Sequence, residues 1–328
     1  RPMSIENHGL IIIGENFNTS RKIKATSPRV INEGEKVNLT YTNLDGLKSA
    51  LDITDGFPDD PAELKRYMIP HITHALKNND MDYMRWIIGA QEAKGSHFID
   101  VCVDEITVYP EERLEWMRKA VKTVQSITDK PLALDSSDSD TIQAGLEVYD
   151  RSISRPAINS VNLEEPRLPL IPLAKEMDTY LFANAGGRSG MPDGDQERTD
   201  NIVKLMDMMD EVDIPMDDRY LDPLVFPIGA GPEFGNHYLD SVRALRGKYP
   251  EVHLFGGHSN ASFGLPERKV LNNAFISLAV LAGCDALMID PVLNPTADFL
   301  EFKLGVDVLT GKDEYSTKYI QYWRSKDS

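Results

Sequence analysis

The sequence predicts an α/β protein built as a single (β/α)8 barrel of the TIM type. Eight apolar runs have the length of strands. In the segments between them apolar residues recur at helical spacing, as in Leu114, Met117, Val121 and Val124. The eight runs are continuous rather than alternating, which is typical of parallel strands buried on both faces. They lie at Leu10–Ile13, Phe98–Val103, Pro131–Leu134, Ala157–Val161, Tyr180–Ala183, Tyr220–Phe226, Val252–Phe255 and Ala286–Ile289.

Length and composition fit one such barrel. The chain has 328 residues and 41% hydrophobic residues, whereas an eight-stranded barrel takes roughly 250 residues before insertions. We assign residues 8–328 to the barrel and residues 1–7 to an N-terminal tail. Within that tail Arg1-Pro2 precede a plausible initiator Met3 and resemble a cloning remnant.

Net charge, hydropathy and cysteine usage argue against several classes of protein. A formal charge of −17 argues against a nucleic-acid partner, which needs a basic face, although a basic protein patch can still meet it. No apolar run approaches the ~18–20 residues of a membrane span, and no secretory signal is visible, so we expect a cytoplasmic protein. Cys102 and Cys284 lie among apolar residues, which favours buried free thiols over a disulfide.

The first and second runs are separated by far more chain than one crossover helix requires. We interpret residues 19–61, which mix charge, Asn, Thr and Gly, as an insertion. A helix is expected to begin at Asp60-Pro61. Because the insertion follows the first strand, it should emerge on the barrel face that carries the strand ends. A lid, a partner-docking element and a merely structural excursion remain open.

Polar side chains follow four of the runs at the point where each strand ends. Neighbouring parallel strands bring such groups to one face, where they can bind a flat, polar heterocycle. Each group also has an ordinary explanation, because Asp135 can cap a helix, the next three can form turns, and the last lies in a flexible loop. The residues are Asp135, the pair Asn159 and Asn162, Asp222, and Asn260.

These segments and their order resemble the pterin-binding barrels of folate- and corrinoid-dependent methyltransferases, over nearly the whole chain after about residue 8. The resemblance implies that Asp135, Asn159 and Asp222 clasp the pterin. It places Asn260 beside the ring nitrogen that carries the methyl group, and Asn162 on the substrate.

Further positions extend the same resemblance. The opening Gly-Glu-x-x-Asn of the family reads here as Gly14-Glu15-Asn16-Phe17-Asn18, which implies substrate contacts for Glu15 and Asn18. Arg268 matches a family Arg that faces the same cavity. One departure is Asp100-Val101-Cys102, where relatives usually show Asp-x-Asn, so one polar contact is replaced. Asp100 is retained as a candidate for handling the proton.

The resemblance implies a methyltransferase that moves a methyl group between tetrahydrofolate and a corrinoid. We expect a separate corrinoid protein, because one barrel consumes the chain, and we expect no metal in this chain; a homodimer follows from family analogy. We favour methylcorrinoid as donor, in the demethylation of aryl methyl ethers or betaine-type compounds.

Three alternatives remain. Methyl transfer from methyltetrahydrofolate to a corrinoid iron-sulfur protein in acetyl formation uses the same chemistry. Dihydropteroate synthase shares the barrel but needs a late Lys and Arg cluster that is not found here. The third alternative is a non-enzymatic folate-binding protein. His71 and His74 have helical i, i+3 spacing, but no suitable third ligand accompanies them, which favours a helix surface over a metal site.

Overall fold

The structure is a computed structural model that describes residues 7–327. Its strands are β1 (Ile11–Asn18), β2 (Ile23–Lys24), β3 (Val30–Glu33), β4 (Lys36–Thr42), β5 (Lys48–Asp52), β6 (Met68–Ile69), β7 (Phe98–Cys102), β8 (Leu132–Asp135), β9 (Ala157–Val161), β10 (Tyr180–Asn184), β11 (Arg219–Asp222), β12 (His253–Leu254) and β13 (Ala286–Ile289). Its helices are α1 (Pro61–Leu64), α2 (His71–Lys77), α3 (Met81–Ala93), α4 (Pro110–Gln125), α5 (Ser139–Glu147), α6 (Leu170–Glu176), α7 (Gly194–Glu211), α8 (Phe234–Lys248), α9 (Arg268–Ala282), α10 (Thr296–Leu309) and α11 (Thr317–Lys326).

Eight strands form one sheet in the order β12-β11-β10-β9-β8-β7-β1-β13. These are the eight runs predicted from the sequence. The sixth is shorter than expected, because β11 ends at Asp222, where Pro223 has no N–H to continue the ladder. Strand pairs with parallel register include β1 with β13, β7 with β8, and β10 with both β9 and β11.

The two strands at opposite ends of this order are also joined. The N–H of Asp285 donates to the carbonyl of Leu254 at 3.1 Å, and the N–H of Met288 donates to Gly256 at 3.2 Å. The sheet therefore returns on itself, and strands alternate with helices along the chain. This confirms the predicted α/β barrel of the TIM type.

Two compact units are distinguished within the chain. Within the described residues, the larger unit comprises residues 7–14, Lys94–Phe98 and residues 155–327, and the smaller unit comprises Glu15–Ala93 and Ile99–Ser154. No helix within residues 7–327 combines the length and apolarity needed to cross a membrane.

Aromatic rings fill the interior of the larger unit. The ring of Phe98 lies 5.3 Å from that of Tyr180, 5.4 Å from Phe182 and 5.5 Å from Tyr220, and Phe182 lies 5.2 Å from Phe255. Phe98 belongs to β7 and is not on a strand adjacent to β10, so these rings meet across the interior. Alternate residues of a strand share a face, and the inward face therefore includes Asn184, two residues after Phe182.

The smaller unit carries the segment that we interpreted as an insertion. Strands β3, β4 and β5 form an antiparallel sheet, and Tyr41 of β4 stacks on Trp86 of α3 with ring centroids 4.7 Å apart. The segment follows β1 in the chain and begins beside the carboxyl end of β7, because the N–H of Thr19 donates to the carbonyl of Cys102 at 3.0 Å. Asp60 caps α1 as expected, although that helix has only four residues.

One carboxylate reinforces the β12–β13 junction. Asp285 accepts hydrogen bonds from His253 Nδ1 at 2.7 Å, from the N–H of Leu254 at 2.8 Å and from Arg246 at 3.2 Å. Burial acts to raise the pKa of Asp285, but the bond from His253 and the charges of His253 and Arg246 outweigh it and lower the pKa. Burial acts to lower the pKa of His253, but Asp285 and Asp217 raise it.

We predict that Asp285→Asn lowers the free energy of unfolding by about 1.5–3 kcal/mol at pH 5.5, since it removes charge-assisted bonds. The cost should shrink at pH 9. The contribution of Asp285 is present above its ordinary pKa of 3.8 and is lost as pH falls. That of His253 is present below 6.5 and is lost as pH rises through its raised pKa. Urea unfolding at both pH values measures this, and an equal cost at each would contradict it.

Candidate functional site

Asp135 ends β8 in the smaller unit, and the capping explanation for it is wrong. The cap of α5 is Asp138, whose carboxylate accepts from the N–H of Asp140 at 3.2 Å and from the hydroxyl of Thr141 at 2.7 Å. Asp135 is half-buried and pairs in register with Cys102 of the neighbouring strand. Helix capping therefore does not explain why an aspartate stands at the end of β8.

Carboxylates surround the thiol of Cys102. Burial raises the pKa of Cys102, and the negative charges of Asp135, Asp104 and Asp100 raise it further. Asp100 is fully buried in β7. A group of carboxylates around one buried position favours a ligand rich in N–H donors, since each charge needs hydrogen bonds when water is displaced.

Asp104 is a residue that the sequence reasoning missed. One of its oxygens accepts from Ser136 Oγ at 2.6 Å, and the other accepts from the N–H of Ser137 at 2.8 Å and from its hydroxyl at 2.9 Å. Asp104 thereby fixes the loop that follows Asp135. Its position two residues after Cys102, on the same alternating register as Asp100, was the available signal.

The opening motif is held by local bonds. Glu15 forms an ion pair with Arg21 at 3.1 Å, and the guanidinium of Arg21 also donates to the backbone carbonyl of Glu15 at 2.9 Å. The side-chain oxygen of Asn18 accepts from the N–H of Ser20 at 2.8 Å. Both predicted substrate contacts thus also shape the turn after β1.

Asn159 lies on the inward side of β9 in the larger unit. It is 8% exposed, and its Nδ2 lies 3.9 Å from the sulfur of Met288 on β13, a strand distant from β9 in the sheet order. The register with β10 shifts after Asn159, since Phe182 pairs with Asn159 and Ala183 with Val161. The shift leaves Ser160 out of the ladder, so its polar groups are bonded by side chains instead.

Two side chains satisfy Ser160. Its carbonyl accepts from the guanidinium of Arg167, and its hydroxyl accepts from Asn184 at 2.7 Å. Asn184 was also missed in the sequence, where β10 was expected to end one residue earlier. Asn162 forms a turn, as its side-chain oxygen accepts from the N–H of Glu164 at 2.9 Å.

Asp222 combines a turn contact with an unusual titration. One carboxylate oxygen accepts from the N–H of Leu224 at 2.8 Å, which matches the turn explanation. Burial raises the pKa of Asp222 to about 7, against the lowering effects of that N–H and of Arg198. Near neutral pH this carboxyl can therefore exist in either protonation state.

Arg198 is a further residue that the sequence did not reveal. Its side chain is fully buried, its Nη1 donates to the carbonyl of Gly194 at 2.8 Å, and its Nε donates to the carbonyl of Leu224 at 3.3 Å. It holds the backbone that follows Asp222 and supplies the positive charge that Asp222 experiences. An Arg in an amphipathic helix looks like a surface residue, so periodicity gives no sign of this role.

Asn260 lies in the 3-10 helix His258–Ser262 and is exposed. Beneath it, Tyr238 donates to the carbonyl of Phe255 at 2.8 Å and lies 3.0 Å from His258 Nε2. A Cβ on Gly256 would lie 2.7 Å from the Tyr238 hydroxyl, so glycine is required for this close approach. The loop of small residues is thus rigidly supported while its carboxamide stays accessible.

Arg268 begins α9 and is bonded to that same 3-10 helix. Its Nε donates to Ser262 Oγ at 3.0 Å and its Nη2 donates to the carbonyl of Ser259 at 2.8 Å. The contacts seen for Arg268 therefore fix the loop that carries Asn260.

The histidine pair is not on a helix surface, and that prediction is wrong. His71 and His74 are 7% and 6% exposed, and His71 Nδ1 lies 2.7 Å from the hydroxyl of Tyr83. Burial lowers the pKa of His71 to about 3. Within residues 7–327 no cluster of three or more His, Cys, Asp or Glu could hold a metal. Both cysteines are buried free thiols, as predicted.

Chemically, each unit supplies a distinct set of groups. The larger unit has the carboxamides of Asn159 and Asn260 and a carboxyl with a pKa near 7. The smaller unit has carboxylates at Asp100 and Asp135. Carboxamides donate and accept, carboxylates accept strongly, and a group titrating near neutral pH can exchange a proton.

Sequence comparisons identify relatives of this chain. The sequence model of the family described as pterin binding enzyme matches residues 72–290. A methylcorrinoid:tetrahydrofolate methyltransferase from Eubacterium limosum is 27% identical over 259 residues, which are 78% of this chain and 92% of that protein. A methionine synthase from Mycobacterium tuberculosis is 29% identical over 214 residues, or 61% of this chain. The chain spans only 17% of that synthase.

Structural comparison gives a similar fold. A Yersinia pestis DHPS with a pterine-sulfa conjugate has a TM-score of 0.56, with 16% sequence identity, and the match covers 70% of this chain and 90% of that one. At this identity the similarity shows the fold alone.

We predict that Asp222→Asn raises the free energy of unfolding by about 1–3 kcal/mol at pH 8 and has little effect at pH 4. Ionisation of this half-buried carboxyl opposes folding. That cost is absent below the ordinary pKa of 3.8 and is complete above about 7. Urea unfolding of the variant and of an exposed control, Asp207→Asn, measures it. A similar gain at both pH values would contradict the raised pKa.

Proposed function

Because the chain belongs to the pterin binding enzyme family, we propose that it is a methyltransferase that moves a methyl group between a corrinoid protein and tetrahydrofolate. The Eubacterium limosum relative of that description matches along 92% of its own length, and this match carries the proposal. The methionine synthase relatives agree with a methyltransferase.

The proposed pterin ligands are Asp135, Asn159 and Asp222, with further contacts from Glu15, Asn18, Asn162 and Arg268. A pterin edge presents N–H donors beside ring nitrogen and carbonyl acceptors. Carboxylates at Asp135 and Asp222 suit the donors, and the carboxamide of Asn159 can meet an edge of mixed polarity. Asp135 and Asp222 end their strands, and Asn159 lies two residues before the end of β9; these positions near the carboxyl ends of barrel strands support the assignment.

The reaction is a displacement at the methyl carbon, and the protein has to manage one proton. In the proposed direction the ring nitrogen of tetrahydrofolate forms a bond to the methyl carbon, the cobalt–carbon bond breaks, and its electron pair remains with cobalt. The nitrogen then loses its proton. Asn260 is proposed to hydrogen-bond that nitrogen more strongly in the transition state. Asp222, with its pKa near 7, is the proposed acceptor of the proton, and Asp100 is the second candidate.

In the proposed direction methylcorrinoid is the donor, as in the demethylation of aryl methyl ethers or betaine-type compounds. The name of the Eubacterium limosum relative gives methylcorrinoid first and tetrahydrofolate second, which supports this direction. The alternative is transfer from methyltetrahydrofolate to a corrinoid iron-sulfur protein, which uses the same residues in reverse. The proposal also includes a homodimer and a cytoplasmic location. It assigns residues 8–328 to the barrel and residues 19–61 to an insertion.

We predict opposite kinetic signatures for two substitutions. Asp135→Asn should weaken tetrahydrofolate binding by about 1.5–3 kcal/mol, because a charge-assisted bond is lost. Asn260→Ala should slow methyl transfer by roughly 10- to 1,000-fold with a much smaller change in affinity, as for loss of one transition-state donor. Equilibrium titration and stopped-flow transfer with cob(I)alamin and methyltetrahydrofolate separate the two effects.

The exposed carboxamide of Asn236 provides a matched control, and Asn236→Ala should change neither quantity. Unchanged affinity in a folded Asp135→Asn protein would remove the pterin assignment. If Asn260→Ala lowers folate affinity and kcat/KM by the same factor, while turnover at saturating folate stays normal, Asn260 is a ground-state contact. In that case Asp100 or Asp222 would have to manage the charge alone.

We further propose that residues 19–61 help to dock the corrinoid protein. The turn between β4 and β5 exposes Leu44 by 58% and Leu47 by 62%. Replacing both with Ser should reduce kcat/KM for a protein-bound corrinoid by roughly 5-fold or more, since the burial of apolar side chains stabilises a complex. Transfer with free cobalamin should be unchanged. The control Leu309→Ser removes a leucine of α10 that is 87% exposed. Equal effects on both corrinoid forms would return the segment to a structural role.

A further inference from the structure

A buried polar network lies beneath the 3-10 helix that carries Asn260, and the proposed reaction gives it no role. Its members are Tyr238 of α8, His258 of the 3-10 helix and Cys284, which follows α9, and none of the three is more than 1% exposed. The hydroxyl of Tyr238 lies 3.0 Å from His258 Nε2 and 3.1 Å from Cys284 Sγ. All three residues belong to the larger unit.

The hydrogen-bond partners of Tyr238 fix the position of the proton on His258. A tyrosine hydroxyl has one proton and two lone pairs. The proton is donated to the carbonyl of Phe255 at 2.8 Å, since a carbonyl can only accept. His258 Nε2 must therefore donate to the Tyr238 oxygen, and the thiol of Cys284 donates to the second lone pair. Every position on the hydroxyl is used, and a satisfied buried network rigidifies the segments that it joins.

His258 is held as a neutral ring. Burial lowers the pKa of His258 to about 3, and its Nδ1 has no hydrogen-bond partner among residues 7–327. Its one proton is engaged at Nε2, and taking up a second proton is unfavourable near neutral pH. His258 is therefore unsuited to exchange the proton of the proposed reaction, and its contribution lies in the backbone that it holds.

That backbone determines where the Asn260 carboxamide lies. The N–H of Asn260 donates to the carbonyl of Gly257 at 3.1 Å, and a Cβ on Gly257 would lie only 3.2 Å from Asn260 Nδ2. The carboxamide therefore rests against the backbone next to His258. A 3-10 helix has poor hydrogen-bond geometry of its own, so a shift of His258 would be passed on to Asn260.

The network is also close to the proposed proton acceptor. Burial raises the pKa of both Tyr238 and Cys284, and the negative charge of Asp222 adds to the increase. Because such interactions weaken with distance, these side chains and Asp222 occupy the same part of the larger unit. One rigid network thus lies near both groups proposed to manage the charge of the reaction.

We propose that Tyr238 and His258 are positioning residues, which hold the Asn260 carboxamide in the orientation that meets the reacting nitrogen. They contact neither the substrate nor the reacting atoms and act through Asn260. The inference rests on the proposed function, because it assigns the support of a residue that acts in that reaction. A misplacement of 1 Å can cost about 100-fold in rate, so a hydrogen bond beneath the loop can affect the chemical step.

The test measures kcat and KM of the whole protein for methyl transfer from methyltetrahydrofolate to cob(I)alamin. His258→Phe keeps a ring but removes the donor to Tyr238. It should lower kcat roughly 10- to 100-fold and change KM for folate by less than about 3-fold. Tyr238→Phe should have the same effect. His258→Gln, whose carboxamide can donate in place of Nε2, should recover most of the rate.

A double-mutant cycle with Asn260→Ala separates positioning from a general loss of structure. Because the carboxamide is absent from that variant, adding His258→Phe should slow transfer further by no more than about 2-fold. If His258→Phe does not fold, Tyr238→Phe takes its place in the cycle. The control is His8→Phe, at an exposed histidine, which should leave kcat and KM unchanged.

Three outcomes would overturn the positioning role and leave the proposed function intact. They are an unchanged kcat in His258→Phe, a His258→Gln protein as slow as His258→Phe, and effects of His258→Phe and Asn260→Ala that multiply. Absence of methyl transfer by the wild-type protein would overturn the proposed function, and the positioning role with it.

Discussion

The β12–β13 junction depends on the carboxylate of Asp285 because β12 has only two residues and supplies few ladder bonds. Asp285 accepts bonds from a backbone N–H, a histidine and an arginine, so one side chain links β13, β12 and α8. Without closure at this junction, the sheet would have two open edges, and strand ends from both sides of the order would not be held at fixed positions. The fixed positions of the polar groups at the carboxyl ends of the strands therefore depend on an ion pair at the amino ends of β12 and β13.

Rigid support and accessible chemistry are separated along each strand of the larger unit. Aromatic rings from Phe98, Phe182 and Tyr220 fill the interior, and polar residues follow the last two of these by two positions, at Asn184 and Asp222. Close ring packing restricts side-chain motion below the polar layer. A carboxyl with a pKa near 7 is sustained in this setting, because the apolar layer limits hydration from below.

The sequence was sufficient for the strands and for the strand-end residues, because both follow from periodicity and local polarity. Asp138, rather than Asp135, caps α5, and choosing between them required the actual backbone angles at the end of β8. Arg198 and Asp104 were missed because their partners lie in distant segments or in loops of irregular conformation. The burial of His71 was missed because it arises from packing against Tyr83 in α3, which a helical spacing does not encode.

Cys102 has a consequence for chemical selectivity. A protein that handles an electrophilic methyl group must not offer it a competing sulfur nucleophile, and the reactive form of cysteine is the thiolate. Burial and the charges of three aspartates raise the pKa of Cys102, so the sulfur beside Asp135 stays protonated at neutral pH. The carboxylate of Asp135, proposed to recognise the pterin, thus also helps to keep this sulfur from competing for the methyl group.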